Sequence, residues 1–229
     1  MIRYSTIDKK IKREIVLLKA MPCKRGKCNF CDYIADNEKN LQKIDEINKD
    51  VLQNVTGKYK VLEVIDSASC FELNEKTKKL IKKIISEKNI EKLFLEAHWI
   101  YRKRLDEMRD FFEIPIIFKT GVETFDNDFR ENILNKGANF KTYKEVKKYF
   151  DSPCIMVGIK GQSKEMIDRD IEILKNHFSY GTVNVFNNNN TQIKRDDELV
   201  RWFLEKYHQD LTDNPNIDYL YDITDFGVG

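Results

Sequence analysis

The chain has 229 residues, 41% of them hydrophobic and 34% charged, and a chain of that length buries roughly 70% of its unfolded surface, so it needs no disulfide staples. Its 40 basic and 38 acidic side chains leave a net charge of +2, a balance that argues against a dedicated electrostatic nucleic-acid binder and against disorder. No apolar run is long enough to span a membrane, and Met1 to Lys12 lacks the apolar core of a signal peptide, so a cytoplasmic protein without a membrane partner is expected.

In chain order, a buried strand is expected over 14–20, and a cysteine-rich run follows it directly. The stripe Leu41, Ile44, Ile47, Val51 and Leu52 has helical spacing. A second strand spans 59–66. The stripe Leu80, Ile81, Ile84 and Ile85 then marks a helix before strands at 93–96 and 114–119. Residues 126–135 and 142–150 supply helical cover. A fifth strand at 154–158 precedes the stripe Met166, Ile167, Ile171 and Leu174. A sixth at 182–186 precedes Leu199, Trp202, Phe203 and Tyr207, and residues 216–226 read as a tail. Strands alternating with helices imply a parallel sheet with right-handed crossovers. With 9 Gly and 4 Pro there is little material for a hinge, so one domain over 1–229 is expected. Six such units fit an open doubly wound sheet or an incomplete α/β barrel, and in both the chemistry collects at the carboxyl ends of the strands.

Five cysteines are too few for a disulfide scaffold, and three of them, Cys23, Cys28 and Cys31, lie within nine residues at the carboxyl end of the first strand. Gly26 lets the loop turn back on itself, and Lys24, Arg25 and Lys27 offset the charge of thiolates. Structural zinc asks for four closed ligands, usually as two paired hooks, and no second close pair exists: His98, His177, His208, Cys70 and Cys154 are scattered. An iron–sulfur cluster held by three thiolates leaves one iron open. The plainer alternative is inert thiols, although buried structural cysteines prefer apolar surroundings. Cys70 and Cys154 are expected in the core.

The run Cys23-Lys24-Arg25-Gly26-Lys27-Cys28-Asn29-Phe30-Cys31 resembles the signature of the radical S-adenosylmethionine (SAM) superfamily: three cysteines spaced by three and then two residues, with an aromatic before the last. Here the first gap holds four residues. The resemblance implies a partial (βα)6 TIM-like barrel, with a 4Fe–4S cluster on Cys23, Cys28 and Cys31 at its C-terminal rim. It also implies SAM as cofactor, cleaved to a 5′-deoxyadenosyl radical, and a one-electron donor such as flavodoxin or ferredoxin as partner. By the same resemblance Phe30 packs on the adenine, and Tyr33 lies with the cofactor. Asp66 and Ser67 replace a Gly-Gly-Glu stretch that holds the methionine amine, so Asp66 is expected at the ammonium. Lys119 and Glu123, in Lys119-Thr120-Gly121-Val122-Glu123, fall where a polar side chain binds the ribose, and Gly158 matches a glycine-containing segment.

With no further cysteine-rich or tRNA-binding domain in view, the chain looks most like the small radical enzymes of queuine salvage. That likeness implies a lyase releasing a 7-deazaguanine base from a nucleoside 5′-phosphate. The two adjacent N–H donors of such a base are best met by one carboxylate; Glu96 is placed first, with Asp66 and Glu63 behind it. The phosphate asks for Arg102, Lys119 or Lys160. His98 follows the third strand, and Asn184 and Asn187 are the amides nearest the rim after the sixth. Two other functions fit the same residues: a radical enzyme acting on another modified nucleoside or on tRNA, and a metal-binding interaction protein without catalysis.

Overall fold

The computed structural model describes residues 2–222 and 227–228; the stretch 223–226 of the expected tail lies outside them. The chain divides into two compact units. The first runs to Gly26 and from Tyr33 to Phe118 and takes in residues 227–228, and the second holds Lys27–Asp32 and the chain from Lys119 to Asp222.

In the first unit, β1 (Tyr4–Ile7) lies antiparallel to β2 (Arg13–Leu18), and β2, β3 (Val61–Asp66) and β4 (Lys92–Glu96) are parallel. Every residue of β2 is buried, as expected of a strand covered on both faces. Helices α1 (Leu41–Leu52) and α2 (Glu75–Glu87) make the crossovers and turn most of the expected stripes inward, with Ile44, Val51 and Leu52 buried in one and Ile81, Ile84 and Ile85 in the other, while Leu41, at the first turn, is exposed. Each begins on an asparagine cap: Asn40 accepts from the Lys43 N–H and Asn74 from the Thr77 N–H. Helix α3 (Leu105–Phe112) leads into β5 (Ile116–Glu123), which starts in the first unit and ends in the second.

In the second unit the end of β5 runs parallel to β6 (Ser152–Val157), followed by parallel β7 (Gly181–Val185) and β8 (Ile217–Leu220). Its helices are α4 (Tyr143–Lys147), α5 (Lys164–His177) and α6 (Asp197–Asp213). The strand order in the sheet is that of the chain, β1 to β8. No helix among the described residues is long and apolar enough to cross a membrane.

The six expected parallel strands are present, and the structure corrects the outline in five places. The sheet gains β1, which makes it mixed rather than wholly parallel, and β8 replaces part of the expected tail. Both are four-residue strands, mostly half-buried, too short to show an alternating pattern. Helix α3 buries Leu105, Met108 and Phe112, an i, i+3, i+7 set compressed into eight residues. The cover expected over 126–135 shrinks to a π-helical turn at Phe129–Ile133. Strand β5 runs on to Glu123, so Lys119 sits mid-strand, beside Ser152 at the amino end of β6, and Glu123 takes the strand's end. Cys70 is buried as expected, whereas Cys154 is only half-buried.

The chain leaving β5 is held by a buried acid. Asp170, on α5, is 1% exposed and accepts a hydrogen bond from the Phe125 N–H at 2.9 Å. Burial pushes its carboxyl from the ordinary 3.8 up to about 6, against the opposing pull of the Thr124 hydroxyl and the Phe125 N–H. A group whose folded pKa is raised contributes stability below its unfolded pKa and loses it as pH rises through the folded value. Wild type should therefore lose about 2 kcal/mol relative to Asp170→Asn between pH 4 and pH 6. Chemical denaturation of both proteins across that window checks this; a pH-independent difference between them contradicts it.

Candidate cofactor site

In the first unit, the carboxyl ends of β2, β3 and β4 shape the approach to Cys23. Ser67, after β3, accepts the Ala20 N–H on its hydroxyl at 3.1 Å, and its carbonyl takes the Asn37 amide at 2.7 Å. The Asn37 carbonyl oxygen in turn accepts the Cys23 N–H at 3.2 Å. Glu72, in the 3-10 turn Cys70–Glu72, holds the same loop from the other side: its Oε1 accepts the Lys24 N–H at 3.2 Å and its backbone carbonyl the Met21 N–H at 3.1 Å. The Tyr101 hydroxyl also donates to Glu72 Oε1, and the Tyr101 ring stacks on Phe71 with centroids 4.4 Å apart. Gly26 sits at φ +47°, and a Cβ there would come within 2.9 Å of the Cys23 carbonyl oxygen, so this turn requires glycine.

Asp66 ends β3 at 5% exposure, and its Oδ1 accepts the Ala68 N–H at 2.7 Å. Its Oδ2 and the Oε2 of Glu72 are buried with no hydrogen-bond partner. Burial pushes the Asp66 carboxyl well above the usual range, with Glu96 and then Glu72 adding to the effect. Burial also raises Glu72, opposed by the Tyr101 hydroxyl and the Lys24 N–H. The region is thus short of positive charge, and two acceptor oxygens wait for a donor. His98 caps the turn at Trp99–Tyr101 by accepting the Ile100 N–H on Nδ1 at 3.2 Å. Arg102 lies 4.6 Å from the centroid of the Trp99 ring. Tyr33 is 60% exposed.

In the second unit, Lys27–Asp32 lies along the chain that follows the π-helical turn. The Asn29 N–H donates to the Leu134 carbonyl at 2.9 Å and the Asn29 amide to the Ile133 carbonyl at 2.8 Å. Phe30 packs against an apolar cluster of Phe129, Leu134, Met156, Ile159 and Phe186. The Asn189 amide caps the Phe30 carbonyl at 2.8 Å. Glu123 is buried, takes φ +63° and forms an ion pair with Lys136 at 2.6 Å. Gly158 is buried at φ +85°, where a Cβ would lie 2.2 Å from Val200 Cγ2, so this glycine admits α6.

Other sequence-predicted residues have local duties in the second unit. Lys119 is 2% exposed and 3.5 Å from Asp218. Lys160 is exposed, beside a hollow lined by Phe129, Ile133 and Met166. The Asn187 amide oxygen accepts from the Arg195 guanidinium at 2.7 Å, and that of Asn188 accepts the Arg195 backbone N–H at 2.9 Å, so much of the asparagine run braces its own loop. Asn184 is half-buried on β7. Glu72, Tyr101 and Lys136 were missed by the sequence reading. No local motif marks them, because each meets the cysteine loop only through the fold.

Cys23, Cys28 and Cys31 form no disulfide and are partly exposed. Among the described residues, no three His, Cys, Asp or Glu side chains are gathered tightly enough to hold a metal ion.

Neither protein-family models nor curated proteins give a match. Among solved structures, a queuine lyase from Clostridium spiroforme bound to SAM and queuine shares 55% identity over all of this chain and 99% of its own, with a TM-score of 0.97. The chain belongs to the queuine lyase family of radical SAM enzymes. Methylornithine synthase superposes at TM-score 0.57 with 13% identity, over 93% of this chain and 67% of its own. Streptococcus suis SuiB bound to SAM superposes at 0.53 with 13% identity, over 91% of this chain and 46% of its own. At that identity they show the fold alone, and it is the expected one, a partial α/β barrel of mainly parallel strands.

The residues of this queuine lyase family member suit the groups that the family implies. Three thiols free of disulfides lie in one glycine-turned loop, a donor set that iron–sulfur clusters use. The unpartnered oxygens of Asp66 and Glu72 suit a cationic group such as the ammonium of SAM.

Proposed function

We propose that this chain is a cytoplasmic lyase that releases queuine from queuosine 5′-phosphate and acts as a single radical SAM domain over 1–229. The observation that carries this reading is the full-length, 55% identity to a queuine lyase solved with SAM and queuine. Cys23, Cys28 and Cys31 hold a 4Fe–4S cluster, and a small one-electron carrier such as flavodoxin or ferredoxin reduces it. When bound, the cluster and SAM together supply hydrogen-atom abstraction from the substrate.

The chain's own contribution is binding, orientation and exclusion of water. In the first unit, Asp66 Oδ2 and Glu72 Oε2 accept the ammonium of SAM, and Ser67 keeps the β3 end in place by holding the Ala20 N–H. Glu96 accepts the paired N–H donors of the deazaguanine edge. His98 and Arg102, next along the chain, serve the sugar-phosphate half, and Tyr33 covers the cofactor from its exposed position. In the second unit, Phe30 offers a ring face to the adenine. Glu123, with Oε1 on Lys136, offers its other oxygen to the ribose. Lys160 is the exposed cation for a phosphate and Asn184 the amide for the base or ribose, since Lys119 is paired with Asp218 and Asn187 with Arg195.

A charge-assisted hydrogen bond contributes about 1.5–3 kcal/mol. Asp66→Asn and Glu72→Gln should therefore each weaken SAM binding by about 10- to 100-fold, as read by equilibrium titration of the reconstituted protein. Unchanged affinity in both would remove these residues from the ammonium site.

The reading as a whole is tested by anaerobic reconstitution with iron and sulfide, followed by SAM and a reductant. The protein should turn brown and form 5′-deoxyadenosine faster when queuosine 5′-phosphate is present. A colourless protein holding stoichiometric zinc contradicts it. Salt-dependent tRNA binding with tRNA-stimulated turnover points instead to a polymer substrate.

A further inference from the structure

Lys136 has no role in the account so far beyond its pairing with Glu123. Its side chain is 10% exposed and its ammonium stands 2.6 Å from Glu123 Oε1 and 5.4 Å from the centroid of the Phe30 ring. The segment carrying it is strapped to the cysteine loop. Besides the two bonds from Asn29, the Asn135 amide donates to the Lys27 carbonyl at 2.7 Å, and the Cys28 thiol approaches the Lys136 carbonyl at 3.9 Å. The pair also shapes the strand beneath it. A Cβ on Gly121 would lie 2.3 Å from Glu123 Oε1 and 2.8 Å from Lys136 Nζ, so glycine here leaves room for the two side-chain ends to meet as they do. Glu123 adopts a left-handed backbone at the end of β5, a conformation that persists in a non-glycine residue only where surrounding contacts impose it.

The Glu123 carboxylate, 2.6 Å away, pairs with the Lys136 ammonium in a buried setting, and the segment carrying this lysine is bonded to the loop that holds Cys28 and Cys31.

We propose that Lys136, fixed in place by Glu123, is a positioning residue that serves as the counter-cation of the cysteine-held cluster and tunes its reduction potential. The inference rests on the reading that Cys23, Cys28 and Cys31 hold an iron–sulfur cluster. One-electron reduction by an external low-potential donor adds one negative charge to the cluster. A fixed ammonium in a low-dielectric setting favours that reduced form, and the carboxylate beside it opposes it in part. The two members of one ion pair therefore push the potential in opposite directions.

The test is an EPR-monitored potentiometric titration with dithionite on reconstituted protein without SAM, so that cofactor binding contributes nothing. Relative to wild type, Lys136→Met should shift the potential to more negative values and Glu123→Gln to less negative ones. Lys136→Arg should stay near wild type. The double variant Glu123→Gln/Lys136→Met, which removes both charges together, should be more negative than Glu123→Gln alone. That last comparison isolates the lysine even if Lys136→Met, with its carboxylate left unpaired, does not fold. Unchanged potentials, or single variants that shift in the same direction as general loosening would make them, overturn the inference while leaving the functional reading intact. A wild-type protein that takes up no cluster overturns both.

Discussion

Cys28→Ala should yield a folded protein with no catalytic 4Fe–4S cluster and no measurable queuine release. The thiol is partly exposed, and its contact with the Lys136 carbonyl, at 3.9 Å, is long and weak. Its loss should cost stability little, within about 1 kcal/mol. The functional loss is of another order. With two thiolates left, cluster assembly fails and turnover falls toward the uncatalysed rate, a drop of about 10⁶-fold or more. Cys23→Ala and Cys31→Ala should behave alike. Cys70→Ala is the matched control: this thiol is 1% exposed and burial pushes it up, so it stays protonated. That variant should lose some packing energy and keep its iron. Iron and sulfide content, with the visible absorption of the reconstituted proteins, separates the two cases. Full iron retention in Cys28→Ala removes that residue from the ligand set.

Arg13→Met should have the largest effect on stability. Arg13 and Glu63 are both fully buried, and the guanidinium Nε stands 2.5 Å from the carboxylate. The guanidinium also donates to the Ile11 carbonyl at 2.7 Å and lies 5.5 Å from the Phe94 ring centroid. Removing one member leaves the other charge buried without its partner, which costs about 3–5 kcal/mol. For a chain of this size that lowers the Tm by about 10 °C. Replacing both, as Arg13→Met/Glu63→Leu, should recover most of the loss, since apolar substitutes of similar volume commonly match a buried ion pair. Thermal unfolding of the three variants checks this. A double variant no more stable than Arg13→Met would show that the pair's contribution lies in its hydrogen bonds rather than in charge neutralisation.

The site was legible where its signal was local. Cys23, Cys28, Cys31 and Phe30 stand within nine residues, and the strand before them carries the apolar run Ile15 to Leu18, so motif and setting could be read together. Helices α1, α2, α5 and α6 were legible for the same reason, because each turns a regular stripe to the core. The misses are residues that reach the loop through the fold. Lys136 is 108 residues from Cys28, and Glu72 is 48 from Lys24. In a chain that is 34% charged, a single lysine or glutamate carries no mark of its future burial. Lys119 shows the converse: a strand end placed a few residues early turned a mid-strand lysine paired with Asp218 into an expected rim residue. The asparagine run misled through composition, since the amide oxygens of Asn187 and Asn188 are occupied by Arg195.

The most direct test of the central claim is a product measurement. Reconstituted protein is incubated anaerobically with SAM, a reductant and queuosine 5′-phosphate, and free queuine is quantified by mass spectrometry. The account predicts queuine in amounts that rise with enzyme and vanish without SAM or in Cys28→Ala. 5′-Deoxyadenosine formed without any queuine, from a fully loaded enzyme, would contradict it.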